Sequence, residues 1–152
     1  MAGRRGPGSR ALGGGGPTGF PPLAGYVHGD HPSDGQVARC RAALERHLRA
    51  DGSLFLLARA ADGVVGFIHL CWSVSTSTGL PLLCVEGLYT VPAYRGQGVA
   101  GALLRHAEGL ARERGAHRLQ LETDQDNLPT LHLYQRFGFE RLPRKQVHMK
   151  FL

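Results

Sequence analysis

Long apolar runs are missing from this chain, and none approaches the roughly 20 residues that a membrane span requires. A soluble protein with no membrane partner is expected. Arg4 and Arg5 are not followed by an apolar segment of secretory length, because the glycines at 13–16 and Pro17 interrupt it. A cytoplasmic location is therefore expected. Cysteine is scarce: Cys40, Cys71 and Cys84 are too few and too dispersed for a disulfide framework or a metal-type spacing. His28 and His31 lie close together but lack a second ligand pair, so no metal site is expected. No run of Lys and Arg interleaves with aromatics, although the formal net charge is +6. Half of that excess comes from Arg4, Arg5 and Arg10, with no acid before residue 26. The mildly basic remainder suits a polyanionic small molecule better than a nucleic-acid platform.

What is present fits one α/β (α+β) domain, since 152 residues can bury a real core but are few for two domains. Residues 1–25 are rich in Gly and Pro and read as a disordered tail, leaving 26–152 as the single domain. Ser33 or Asp34 caps a helix running to about residue 50, with Val37, Cys40, Leu44 and Leu48 on one face. Strands are expected at 53–60, 64–74 and 82–91, the first two joined by the turn Ala61-Asp62-Gly63. A helix over 97–114 follows, with Val99, Leu103, Ala107, Leu110 and Ala111 buried and Gly115 ending it. The rest reads as a strand at 117–123, a helix at 128–137 and terminal strands at 139–142 and 147–152.

The strongest chemical signal is strand, then Arg95-Gly96-Gln97-Gly98-Val99-Ala100, then helix. Glycines let backbone approach a ligand without Cβ obstruction, and a helix start presents unpaired N–H groups at the positive end of its dipole. A pyrophosphate is the natural occupant. Gly96, Gly98 and Gly101 also fit the dinucleotide pattern G-x-G-x-x-G, with Glu122 near the position of a ribose-binding acid. Against that reading, residues 123–152 offer one short helix and two strands rather than further β-α units, and Glu86, Gly87 and Thr90 are unlike a parallel core strand.

With these residues in view, the chain resembles the GNAT superfamily of N-acetyltransferases. Arg95, Gly98 and Ala100 match its Arg/Gln-x-x-Gly-x-Gly/Ala motif, and 127–139 is similar to its Asn-x-x-Ala-x-x-Leu-Tyr-x-x-x-Gly-Phe signature. The resemblance covers roughly 36–152. It implies a mixed, mainly antiparallel sheet flanked by helices, with a V-shaped cofactor slot between the strands at 82–91 and 117–123. It further implies acetyl-CoA as cosubstrate and a small-molecule amine as acceptor, attacked directly in a ternary complex. Leu88, Tyr89 and Thr90 would pair with pantetheine, and Gly96, Gln97, Gly98, Val99, Ala100 and Gly101, following Arg95, would hold the pyrophosphate. Asn127 and Thr130 would contact the cofactor, and Tyr134 would stand by the sulfur. Independently, residues 127, 130 and 134 share one helical face.

An amine is mostly protonated at pH 7 and must lose a proton before it attacks a thioester. Glu86, in an otherwise apolar strand, is the expected base, its carboxylate partly desolvated and shifted upward. Tyr134 would return a proton to the leaving thiolate, a transfer uphill by roughly 2 kcal/mol from reference values unless the site assists. Gly87 marks a bulge that would part this strand from the next and aim a backbone donor at the oxyanion.

The resemblance also implies a strand and helix ahead of residue 36, where this sequence has its Gly/Pro-rich tail. Either that element is absent or a second copy covers the exposed edge, making a homodimer possible. An acetyl-CoA-binding regulatory domain without turnover is the alternative reading. For the acceptor, 121–134 looks similar to streptothricin-type enzymes and 86–89 to aminoglycoside ones. Arg141, Arg144 and Lys145 favour an anionic acceptor instead, and Asp30 and Asp34 offset them.

Overall fold

A computed structural model describes residues 33–47, 52–61 and 63–152. The expected tail at 1–25, the segment 26–32 and the helix end at 48–50 lie outside the described residues. Two compact units divide at Glu122/Thr123 and are described in turn.

The first unit opens with α1, Asp34–His47. Ser33, of the two expected caps, closes its N-terminus in a reciprocal box: Gln36 N–H donates to Ser33 Oγ at 3.4 Å, and Ser33 N–H donates to Gln36 Oε1 at 2.7 Å. Three strands follow as an antiparallel meander, β1 Ser53–Ala60, β2 Gly63–Val74 and β3 Pro81–Thr90. The turn Pro92–Tyr94 leads to α2, Val99–Glu113. Because α2 carries the chain back over the sheet, β4 (Leu119–Leu121) enters parallel to β3. The sheet order is β1-β2-β3-β4, mixed and mainly antiparallel as expected.

Side chains alternate across a strand, so each β2 residue can be assigned to a face. Gly66 meets the start of α2 and Trp72 lies under Arg114, 4.8 Å from guanidinium carbon to ring centroid, so the even-numbered face of β2 packs on α2. Ile68 and Leu70 on that face, with Leu83 from β3, are fully buried. Leu103, Leu104, Ala107 and Ala111 supply the helix side. Leu104 was not on the expected stripe, and Leu110, which was, is half-buried. The odd-numbered face carries Phe67, His69 and Cys71.

The second unit holds α3, Leu128–Arg136. Gly138, at φ 78°, closes it by donating to Gln135 O at 3.0 Å while Phe139 N–H donates to Tyr134 O at 3.0 Å, a Schellman ending. The strands expected at 139–142 and 147–152 do not form. Their alternating pattern, with Val147, Met149 and Phe151 exposed, lacks a strand partner, and an extended segment has no stability without one.

Candidate functional site

The glycine turn is built by its own backbone. Arg95 is extended, and Gly96 and Gly98 take positive φ angles of 74° and 82°, conformations that other residues adopt only at a cost. Gly98 thereby becomes the N-cap of α2 with no side chain occupying the helix start. The helical ladder begins at Ala102, whose N–H donates to Gly98 O at 2.9 Å. The amides of Val99, Ala100 and Gly101 therefore precede it, at the positive end of a 15-residue helix. A Cβ at Gly96 or Gly98 would meet nothing within 4 Å, so the turn is open on its outer side. Arg95 braces the turn: its Nε donates to Thr90 O at 3.0 Å, and its guanidinium lies 5.5 Å over the Tyr89 ring. Gln97 Nε2 donates to Ala93 O at 2.9 Å. Gly66 lets α2 approach the sheet, since a Cβ there would stand 2.8 Å from Tyr89 O and 3.1 Å from Val99 Cγ1. Thr90 Oγ1, beside that contact, is buried without a hydrogen-bond partner. Open glycine backbone, unladdered amides and an orphaned hydroxyl fit a pyrophosphate.

Beside this turn the sheet splits. β3 and β4 pair only over Leu83–Leu119, Cys84–Gln120 and Val85–Leu121, so the β3 edge from Glu86 to Thr90 has no β4 neighbour. β4, at Leu119–Leu121, is shorter than the 117–123 expected, and its pairing with β3 stops short of the edge along which the slot was expected. Backbone groups of Leu88, Tyr89 and Thr90 lie along that edge, where an extended amide-bearing ligand can add as a further strand.

The split coincides with a bulge. His69 pairs with Gly87 and Leu70 with Val85, leaving Glu86 as the extra residue. The bulge falls where Gly87 marked it, with Glu86 rather than the glycine inserted. Cys84 pairs with Cys71 and Gly87 with His69, so both lie on the odd face. Glu86, inserted between them at the bulge, acts with its negative charge on both thiols. Burial first, then Glu86, raises Cys71 and Cys84 above the ordinary thiol value of 9.0. Glu86 itself is exposed. The partial desolvation expected at this position is thus corrected: the bulge lifts the side chain off the apolar layer.

The same face holds a polar group that sequence reasoning missed. His69 stacks on Phe55 at 4.1 Å and 7°, and its Nε2 shares a 2.9 Å hydrogen bond with Ser53 Oγ and lies 3.5 Å from Cys71 Sγ. The alternation Phe67, His69, Cys71 along β2 placed His69 opposite Leu70, but nothing in the sequence paired it with Ser53 across the hairpin.

In the second unit, Asn127 caps α3 with its carbonyl, accepting from Leu131 N–H at 3.0 Å, and its side chain makes no cap bond. Tyr134, 8% exposed, packs at 5.5 Å and 58° against Phe139. Asn127, Thr130 and Tyr134 share a helical face as expected, whereas Glu86 and the turn belong to the first unit.

Comparisons with known proteins agree with this geometry. The family model for the acetyltransferase (GNAT) family matches residues 24–139. Streptothricin acetyltransferase from Streptomyces lavendulae is 35% identical over 119 residues, covering 78% of this chain and 58% of that protein. The chain thus spans about three-fifths of that relative's length. The crystal structure of a probable acetyltransferase superposes with a TM-score of 0.72 at 27% identity, covering 86% of this chain and 85% of that one. AAC(6')-Iy in complex with the bisubstrate analog CoA-S-monomethyl-acetylneamine superposes with a TM-score of 0.62 at 25% identity, covering 80% and 82% respectively. Among the described residues no helix is long and apolar enough to cross a membrane.

Proposed function

Because the chain belongs to the GNAT acetyltransferase family, we propose that it transfers the acetyl group of acetyl-CoA to a primary amine of a small molecule, by direct attack in a ternary complex. The observation that carries this reading is the open glycine turn at the start of α2 beside the β3 edge that β4 leaves unpaired. Such a turn supports a pyrophosphate through the amides of 96–101, with Arg95 bracing it, and the β3 edge beyond its pairing with β4 would support pantetheine through Leu88, Tyr89 and Thr90. A bound CoA thioester supplies the activated acetyl group. The chain's own residues orient it and manage charge.

Glu86 meets the acceptor, its exposed carboxylate holding the ammonium at the bulge. A β3 amide at the bulge serves the oxyanion. In the second unit, the family resemblance assigns Asn127 and Thr130 to the cofactor and Tyr134 to protonation of the departing thiolate. The name of the relative, streptothricin acetyltransferase, favours an antibiotic amine as acceptor. The test is thiol release from acetyl-CoA against a panel of aminoglycosides, streptothricin, polyamines, amino acids and peptide amines, with Tyr134→Phe and Glu86→Gln beside the unaltered protein. Amine-dependent release, reduced in both variants, supports the reading. Tight CoA binding without release for any amine would return it to an acetyl-CoA-binding regulatory domain.

A further inference from the structure

The odd-numbered face of β1–β3 carries two rows of paired residues: Ser53, Cys71 and Cys84, then Phe55, His69 and Gly87. Glu86 sits between the rows at the bulge. A third row on this face pairs Leu57, Phe67 and Tyr89. The exposure of Glu86 raises a chemical question. An exposed carboxylate can hold an ammonium by charge, and a neighbouring group suited to proton transfer near pH 7 can then take the proton. Imidazole, with a reference value of about 6.5, is the side chain that does so.

His69 is the one imidazole on this face among the described residues, directly across from Gly87 and one strand spacing, about 4.8 Å, from the bulge. Its ring is fixed on three sides, by the Phe55 stack, by Ser53 Oγ and by Cys71 Sγ. A serine hydroxyl both donates and accepts, so the 2.9 Å bond to Nε2 persists whether the ring is neutral or charged. With Nε2–H donating to Ser53 Oγ, the ring takes up a proton at Nδ1 and this bond stands unchanged.

We infer that His69, oriented by Ser53, is the base that takes the acceptor amine's proton, while Glu86 supplies the charge that draws the ammonium in. The inference rests on the acetyl-transfer reading above. In the step, an N–H bond of the ammonium breaks, its electron pair stays on nitrogen, and the proton joins the imidazole. The amine pair then forms the C–N bond to the thioester carbonyl carbon as the C–S bond breaks; the nitrogen sheds its second proton to become the amide, the departing CoA thiolate gains one proton to leave as the thiol, and the imidazolium yields its own to water. The ionisable groups on this face beside His69 include Cys71 on its own strand and Cys84, Glu86 and Tyr89 on β3; Ser53 and Phe55 on β1 do not ionise in this range. Arg118 and Glu122, flanking β4, act on Cys84.

The experiment is the pH profile of kcat/KM between pH 5.5 and 9 for the unaltered protein, His69→Gln, Ser53→Ala and Glu86→Gln, with CoA affinity measured alongside. The unaltered protein should show an acid limb in the imidazole range, about 6.5. His69→Gln should lose that limb and about 100-fold or more in kcat/KM, with CoA affinity unchanged. Ser53→Ala should shift the limb, and Glu86→Gln should raise KM for the amine while keeping it. Added imidazole should restore part of the activity of His69→Ala. If His69→Gln fails to fold, the His69 ring resonances of the unaltered protein decide: titration with the kinetic midpoint supports the assignment, and a ring that does not titrate over this range overturns it. An active protein whose His69→Gln variant keeps the limb and lies within about threefold in rate overturns this inference alone. No turnover by the unaltered protein overturns it together with the proposed function.

Discussion

Replacing Gly98 by alanine separates backbone conformation from bulk at the glycine turn. A Cβ at this position meets nothing within 4 Å, so no clash is created. The cost is conformational: at φ 82° an alanine pays about 1–2 kcal/mol to hold the left-handed geometry. Either the protein bears that cost, lowering its ligand-free melting midpoint by a few degrees, or the turn relaxes and re-aims the amides of Val99, Ala100 and Gly101. Relaxation forfeits at least one charge-assisted bond to phosphate, worth about 1.5–3 kcal/mol, or roughly 10–150-fold in affinity. Calorimetric titration with CoA and with the phosphate-free fragment pantetheine distinguishes the outcomes. The loss should appear with CoA and not with pantetheine. Equal loss for both ligands, or a change of less than about threefold for CoA with an unshifted melting midpoint, would refute the reasoning.

Gly66→Ala should destabilise the protein by about 1–3 kcal/mol through the contacts with Tyr89 O and Val99 Cγ1, seen as a lower urea midpoint without CoA. Ser33→Ala breaks the capping box and should cost α1 about 1 kcal/mol, read as faster amide exchange confined to its first turns. Cys71 and Cys84 hold their protons more tightly folded than unfolded, since burial and then Glu86 raise them. The folded state then binds more protons as pH climbs past the unfolded thiol value, so their stabilising contribution is complete below 9.0 and fades above it. The melting midpoint should fall above pH 9.0, and iodoacetamide labelling of both thiols should quicken in Glu86→Gln.

Most elements could be read from the sequence because local signals agreed with tertiary packing. Ser53–Ala60 matches its expected span, and Gly115, at φ 69°, lies just past the end of α2 at Glu113, where a helix-ending glycine was expected. The turn at 95–101 was legible because its glycines do a job that no other residue does cheaply, and the observed φ angles at Gly96 and Gly98 follow from that. The terminal strands failed because alternation describes a segment's two faces but not whether a neighbour exists to pair with it. The environment of Glu86 was misjudged for a related reason. An apolar strand composition implied desolvation, whereas one inserted residue in the register turns that side chain into solvent. His69 stayed hidden because its partner, Ser53, is brought beside it only by the β1–β2 register.

On the proposed function, the turn from Arg95 to Ala100, with Gly101, receives the pyrophosphate of acetyl-CoA. Amide resonances followed during titration with acetyl-CoA test it directly. The largest shifts should fall on Gly96, Gly98, Val99, Ala100 and Gly101, followed by Leu88, Tyr89 and Thr90, and NAD should leave them in place. Shifts concentrated elsewhere, or the same shifts with NAD, would contradict it.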